Sequence, residues 1–164
     1  MPENTENKGN VSAASAGARR HCREIMTRNV TTAAPEMTLR EVAALLRETD
    51  VGALPVVKDG KLAGIITDRD IVIRAVAEGK DTNTVTVAEV MTAEIFSAGP
   101  DTFVFEVIRL MGDKQIRRVP VVEASGELCG MIAMADIALE MEDEREIAET
   151  LEDISSGAAF WRKN

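Results

Sequence analysis

The feature that most constrains this chain is an internal repeat with an offset of about 65 residues. The tripeptide Ile25-Met26-Thr27 returns as Val90-Met91-Thr92, and Leu54-Pro55-Val56-Val57 returns as Val119-Pro120-Val121-Val122. Further downstream the match continues after an insertion of one residue. A repeat of this length indicates one supersecondary unit that is used twice, because a single copy has too little apolar surface to close a core.

The first part of each copy predicts a strand, a helix and a hairpin. Val30–Ala33 is a short β-type run, and the apolar residues that follow Thr38 fall at helical spacing behind a threonine cap. Two β-rich runs, Ala53–Val57 and Leu62–Ile66, flank Asp59-Gly60, which is a strong signal for a tight turn.

A second helix is predicted to open at Thr67, to reach about Ala77 and to stop at Gly79. The fold class is therefore α/β (α+β), with two β-α-β-β-α repeats packed sheet to sheet around a pseudo-twofold axis. The predicted organisation is a disordered tail over 1–18, repeat 1 over 19–79, a linker over 80–86, repeat 2 over 87–141, and an acidic helix and tail over 142–164.

Charge and composition exclude several classes of function. Residues 140–153 hold eight acids and one arginine, so they account for −7 of the net charge of −9, and the rest of the chain is nearly neutral. The sequence has no basic stripe with interleaved aromatics, so nucleic-acid binding is not predicted. No apolar run approaches the roughly 20 residues that cross a bilayer. With no secretion signal and only Cys22 and Cys129, we expect a cytoplasmic protein with reduced thiols.

Taken together in order, the duplicated markers resemble a tandem pair of cystathionine-β-synthase-type (CBS) domains, or Bateman module, over roughly Cys22 to Met141. The markers are the two Met-Thr dipeptides, the two Pro-Val-Val strands, and the segments Gly64–Asp70 and Gly130–Asp136. The resemblance implies binding of an adenosine nucleotide (AMP, ADP or ATP), or of S-adenosylmethionine or NAD, in clefts between the copies. It also implies that the protein is a regulatory sensor and not an enzyme. The expected partners are a second copy of this chain, in a homodimer, and an unidentified protein that the sensor regulates.

The first-copy site is expected where β-structure passes into the second helix. A helix N-terminus offers unpaired N–H groups to phosphate, Thr67 adds a hydroxyl donor, and Arg69 adds a planar cation. The family resemblance implies that Asp70 accepts the ribose hydroxyls. Adenine would lie against apolar strand residues and their neighbours, namely Thr32, Ala53, Leu54, Pro55 and Ile66.

The second copy differs in its chemistry. Ala133 stands where the first copy has Thr67, while Asp136 keeps the acid, so we expect the first cleft to bind a nucleotide better than the second. Arg117 and Arg118 point to opposite faces of a strand, so at most one of them reaches a given cleft. The remaining residues predicted to line this side are Val119, Pro120 and Ile132.

Two alternatives stay open, and a third is set aside. Thr67-x-x-Asp70 also fits a capping box that serves stability alone, in which case the protein is an interaction module with vestigial clefts. A metal site is not predicted, since His21, Cys22 and Cys129 lack ligand spacing. The acidic C-terminal segment carries an apolar stripe and two aromatics suited to self-association or a partner, at Ile147, Leu151, Ile154, Phe160 and Trp161.

Overall fold

A computed structural model describes residues 20–140 together with Ala148, Leu151 and Glu152. The predicted N-terminal tail lies outside the described residues. So does most of the acidic C-terminal segment, including Ile147, Ile154, Phe160 and Trp161.

The described chain consists of six helices and four strands. In chain order they are α1 (Cys22–Ile25), α2 (Leu39–Thr49), β1 (Ala53–Lys58), β2 (Lys61–Thr67), α3 (Asp68–Ile71, continued by a π-helical turn over Val72–Val76), α4 (Val87–Val90), α5 (Val104–Lys114), β3 (Arg118–Val122), β4 (Leu128–Ala133) and α6 (Met134–Glu140). Strands β1 and β2 form one two-stranded sheet, and β3 and β4 form another. The mixed fold class is confirmed, while the packing of the two copies on each other stays a prediction.

Local signals placed the hairpin and the long helix of the first copy correctly. Asp59 and Gly60 have φ values of 50° and 77° and turn β1 back onto β2. Thr38 caps α2, because its hydroxyl accepts the N–H of Glu41 while the Glu41 carboxylate accepts the N–H of Thr38.

The predicted strand at Val30–Ala33 is wrong. Only Ala33 joins the sheet, through hydrogen bonds of 2.9 Å from its N–H to the carbonyl of Pro55 and from the N–H of Val57 to its carbonyl. The threonines before Ala33 are exposed, and a turn begins two residues after it, at Pro35. The β-propensity of this run reflects fit to a pleated, half-buried surface, and no such surface is formed around those threonines.

The chain divides into two compact units, and this division does not follow the repeat. The central unit comprises Thr27–Ser97 and Pro120–Met131, and the described part of the flanking unit comprises residues 20–26, Ala98–Val119 and residues 132–140, 148, 151 and 152. Each unit therefore contains parts of both copies.

Within the central unit, the short helix α4 of the second copy docks against the start of α2. The N–H of Val87 donates to the carbonyl of Met37 at 2.9 Å, and the N–H of Leu39 donates to the carbonyl of Val85 at 3.0 Å. Leu39 and Val87 are fully buried, in a core that also contains Ala33, Val42, Leu46, Leu54, Val56, Ile66, Ile71, Ala75 and Val90.

The flanking unit repeats this arrangement with the copies exchanged. Helix α1 of the first copy docks against the start of α5, where the N–H of Cys22 donates to the carbonyl of Thr102 at 2.9 Å and the N–H of Val104 donates to the carbonyl of Arg20 at 2.8 Å. Helix α1 also packs on α6. The sequence did not predict α1 or α4, because four residues are too few to show a helical period.

Candidate functional site

The acid at the start of α3 is the best-defined polar group of the predicted first-copy site. Oδ2 of Asp70 accepts the N–H of Thr67 at 3.0 Å and the hydroxyl of Thr67 at 2.7 Å. Its other oxygen, Oδ1, lies 3.5 Å from Nη2 of Arg74, and the Asp70 side chain is 15% exposed. Asp70 therefore has one oxygen committed to the helix cap and one that faces a single cation.

The N–H groups at the start of α3 are not unpaired, so that part of the sequence prediction is wrong. The N–H of Asp68 donates to the carbonyl of Gly52 at 3.2 Å, that of Arg69 to Oδ1 of Asp68 at 2.7 Å, and that of Asp70 to Oγ1 of Thr67 at 3.0 Å. Protein acceptors thus already fill the positions that a phosphate would use. The acceptor from Gly52 is supplied by the chain just before β1, which local sequence does not reveal.

The hydroxyl of Thr67 is also engaged. A threonine hydroxyl has one proton to donate, and Thr67 gives it to Asp70 while accepting the N–H of the same residue. In this conformation Thr67 and Asp70 form the reciprocal capping box that the sequence left open as the alternative interpretation.

The second copy keeps half of this arrangement. Oδ2 of Asp136 accepts the N–H of Ala133 at 2.7 Å, although alanine supplies no hydroxyl. The next N–H along, from Met134, donates to the carbonyl of Arg117 at 2.8 Å, just as Asp68 donates to Gly52 in the first copy. The retained acid is therefore explained by capping in both copies.

The predicted cationic residues are accessible. Arg69, Arg117 and Arg118 are all exposed, and Arg118 opens β3. Sequence reasoning missed Arg74, whose guanidinium donates to the carbonyl of Val90 at 2.6 Å and to Oγ1 of Thr92 at 3.2 Å. Arg74 follows Asp70 by four residues on a predicted helix, and residues i and i+4 on a helix are neighbours. This spacing could have predicted their contact.

The hairpin register brings some of the predicted apolar residues together. Ala53 pairs with Thr67 and Leu54 pairs with Ile66 across β1 and β2. Leu54 and Ile66 are 1% and 0% exposed, with their side chains in the core, so any contribution to a ligand site would come from their main chain. Thr32 is exposed, and it precedes Ala33, whose main chain pairs with β1.

The predicted residues are divided between the two units. The central unit holds Thr32, Ala53, Leu54, Pro55, Ile66, Thr67, Arg69, Asp70 and Pro120. The flanking unit holds Arg117, Arg118, Val119, Ile132, Ala133 and Asp136. Val119, Pro120 and Ile132 are buried, and Ala133 and Asp136 are half-buried.

Within the described residues, no group of three or more His, Cys, Asp and Glu side chains is placed to hold a metal ion. Cys22 is buried, and Sγ of Cys129 donates to the carbonyl of Val121 at 3.3 Å. Burial and the nearby Glu123 raise the pKa of the Cys129 thiol, which disfavours the thiolate that binds metals. In the same part of the chain, no helix is long and apolar enough to span a bilayer.

Comparison with known proteins gives a match to the CBS domain family over residues 22–76 and 87–143. The CBS domain-containing protein YhcV of Bacillus subtilis is 38% identical over 133 residues, which cover 81% of this chain and 94% of that protein.

Two solved structures are also similar to this chain. The crystal structure of Hypoxic Response Protein I with two coordinated zinc ions has a TM-score of 0.69 and 37% identity, and covers 74% of this chain and 99% of that one. The CBS domain pair of protein MJ0100 in complex with 5-methylthioadenosine and S-adenosyl-L-methionine has a TM-score of 0.67 and 31% identity, and covers 73% of this chain and 94% of that one.

Proposed function

This chain belongs to the CBS domain family, and from that premise we propose that it is a non-catalytic regulatory module whose first copy binds an adenosine-containing ligand and signals the bound state to a partner protein. The observation that carries the proposal is the Asp70 carboxylate. Its Oδ1 is not used by the capping box and can accept the hydroxyl groups of a ribose.

The geometry favours recognition of the nucleoside over recognition of phosphate. The N–H groups of α3 and the hydroxyl of Thr67 are bonded within the protein, so a phosphate group would rely on the exposed guanidinium group of Arg69. A ligand without phosphate does not need that contact. The related MJ0100 pair is complexed with two such ligands, 5-methylthioadenosine and S-adenosyl-L-methionine.

Calorimetric titration of the purified, nucleotide-free protein tests the proposal. The ligands are AMP, ADP, ATP, S-adenosylmethionine and NAD, and binding of at least one is expected. We expect Asp70→Asn to weaken that ligand about tenfold or more, because a hydrogen bond to a charged acceptor contributes about 1.5–3 kcal/mol. No heat from any of the five ligands would overturn the proposal.

Asp136→Asn is the matched control. Asp136 makes the same cap hydrogen bond to the main chain as Asp70, so Asp136→Asn should also lower the melting temperature, by less than Asp70→Asn because Asp70 accepts the Thr67 hydroxyl as well. Only the Asp70 variant is expected to lose affinity. Equal loss of affinity in both variants would mean that binding responds to helix capping and not to Asp70.

A second candidate function is favoured by the completeness of the capping box. Because the main-chain N–H groups and the Thr67 hydroxyl at the start of α3 find partners in the protein, the motif can persist for stability alone. The chain would then be an interaction module with vestigial clefts, and Asp70→Asn would lower the melting temperature without changing any binding isotherm.

We also propose that the protein self-associates as a homodimer. Three apolar side chains of the π-helical turn, Val72, Ile73 and Val76, are each about half exposed or more, at 56%, 49% and 59%. In the flanking unit, Leu139 of α6 is 85% exposed. Sedimentation equilibrium of wild type and of Val76→Glu tests this, since a charge on a buried dimer contact should favour the monomer. A monomeric wild type would rule out the dimer.

A cytoplasmic location is part of the same proposal. It is supported by Cys129, whose thiol is not in a disulfide and donates to the carbonyl of Val121, as expected in a reducing compartment. Fractionation of cells with an antibody against the protein tests this location, and recovery outside the cytoplasm would contradict it.

A further inference from the structure

Arg74 links the candidate ligand acid to a segment of the second copy. Its Nη2 lies 3.5 Å from Oδ1 of Asp70, and its Nη1 donates to the carbonyl of Val90 at 2.6 Å and to Oγ1 of Thr92 at 3.2 Å. A planar guanidinium can serve both sides at once because its donors are fixed in a fork. All of these residues belong to the central unit.

The segment that Arg74 holds, Val90–Thr92, is seated directly on β2. Thr92 and Ile65 exchange two main-chain hydrogen bonds of 2.9 and 3.0 Å. The approach is so close that a Cβ added at Gly64 would lie 2.6 Å from Sδ of Met91. The position of Val90–Thr92 is therefore fixed by β2 on one side and by Arg74 on the other.

The distances around Arg74 show where it can be displaced. Its bonds to Val90 and Thr92 are within hydrogen-bond range, whereas its contact with Asp70 at 3.5 Å is a longer ion pair. Oδ2 of Asp70 is occupied by Thr67, so a ligand hydroxyl would have to use Oδ1, the oxygen that faces Arg74.

We infer that Arg74 is a positioning residue which competes with the ligand hydroxyls for Asp70 and so couples occupancy of the first-copy site to the seating of Val90–Thr92. This inference rests on the proposed function. A bound ribose loosens the ion pair to Arg74, and the guanidinium then holds the second-copy segment less firmly. By linkage, removing Arg74 removes the competitor and tightens ligand binding.

The second copy lacks this device. Glu140 stands at the position equivalent to Arg74 and pairs with Arg20, so an acid replaces the cation next to Asp136. Coupling of this kind is therefore specific to the first copy.

A ligand-free experiment tests the link itself. Amide exchange of Thr92 and Ile65 is measured by NMR in the full chain for Asp70→Asn, Arg74→Met and the double variant. We expect about tenfold faster exchange for Arg74→Met and about two- to fivefold for Asp70→Asn, with no further increase in the double variant. Additive effects would mean that Asp70 does not act through Arg74 and would overturn the inference.

Two controls separate the link from general loosening. Thr38→Ala breaks the hydroxyl half of the equivalent cap on α2 and leaves Asp70 and Arg74 in place, so exchange at Thr92 should stay unchanged relative to the other protected amides of the central unit. Arg47→Met removes an exposed arginine of α2, whose ion pair with Glu48 is 4.0 Å long, and should also leave it unchanged. Faster exchange in either control would assign the effect to helix stability.

Ligand titrations test whether Arg74 competes with the ligand for Asp70. AMP and S-adenosylmethionine are titrated into wild type, Arg74→Met and Arg47→Met. Arg74→Met should bind about two- to fivefold more tightly and should lose the ligand-induced change in exchange at Thr92, while Arg47→Met behaves as wild type. Weaker or unchanged binding by Arg74→Met overturns the competition.

If wild type binds none of the five ligands, the proposed function and the competition both fail. The ligand-free variants still decide whether Asp70 controls Val90–Thr92.

Discussion

The central and flanking units have the same three helix starts, but they cap them differently. In the central unit the N-cap residues are Thr38, Thr67 and Thr86, and each threonine hydroxyl donates to the acid three residues on. In the flanking unit the equivalent residues are Phe103, Ala133 and His21, none of which has a hydroxyl. The acid is retained in all six cases and accepts the N–H of its N-cap residue.

This comparison changes the meaning of the alanine at position 133. Taken alone, Ala133 in place of Thr67 pointed to a lost phosphate contact in the second copy. Compared across the units, it is one of three threonine replacements, two of which lie at helix starts outside the predicted ligand site. The difference between the copies at this position is therefore explained by helix capping before any loss of a ligand contact is needed.

If the units differ in caps and not in cores, matched core truncations should cost the same. Ile66→Ala in the central unit and Ile132→Ala in the flanking unit each remove a side chain that is 0% exposed. Each should lower the free energy of unfolding by about 2–5 kcal/mol, measured by urea denaturation. A much smaller loss for Ile132→Ala would place the difference between the units in their packing.

Substitutions at the N-cap positions 67 and 133 should change the free energy of unfolding in opposite directions. Thr67→Ala should lower the free energy of unfolding by about 1 kcal/mol, and Ala133→Thr should raise it by up to about 1 kcal/mol, because a hydroxyl cap satisfies an N–H group at the helix start. Denaturant midpoints of both variants give the answer. A destabilising Ala133→Thr would show that the flanking unit has no room for the hydroxyl.

The smallest expected effect is in the pH dependence of stability. Hydrogen bonds from the N–H and hydroxyl of Thr38 lower the pKa of Glu41 below its ordinary value of 4.5, and those from Thr86 lower the pKa of Glu89 in the same way. A lowered pKa in the folded state gives stability that is present above pH 4.5 and is lost as the pH falls through the folded pKa.

Glu41→Gln should therefore reduce the drop in melting temperature between pH 5 and pH 3, because it removes the carboxylate whose protonation weakens the cap. Glu48→Gln, on the same helix but outside the cap, controls for the loss of one negative charge. An unchanged drop in Glu41→Gln would mean that the cap does not contribute to the acid sensitivity of the fold.

The sequence predicted the elements whose signals are local. Asp59-Gly60 fixed the hairpin, and Thr38 and Thr67 fixed two helix starts, because turn and cap chemistry acts over three or four residues. It could not predict that the N–H of Asp68 is satisfied by Gly52 or that Arg74 reaches Val90, since both contacts depend on how distant segments come together. The strand expected at Val30–Ala33 failed for the same reason, as a β-prone run forms a strand only where it finds a neighbour.

The exchange of the short helices α1 and α4 between the copies has a consequence for synthesis on the ribosome. Among the described elements helix α1 is made first, yet its hydrogen-bond partners at Pro100, Thr102 and Val104 come about 80 residues later. The flanking unit must therefore wait until the second copy has emerged, while β1, β2 and α2 of the central unit can assemble earlier. Until those residues emerge, α1 lacks these hydrogen-bond partners, and neither copy made alone would contain a complete unit.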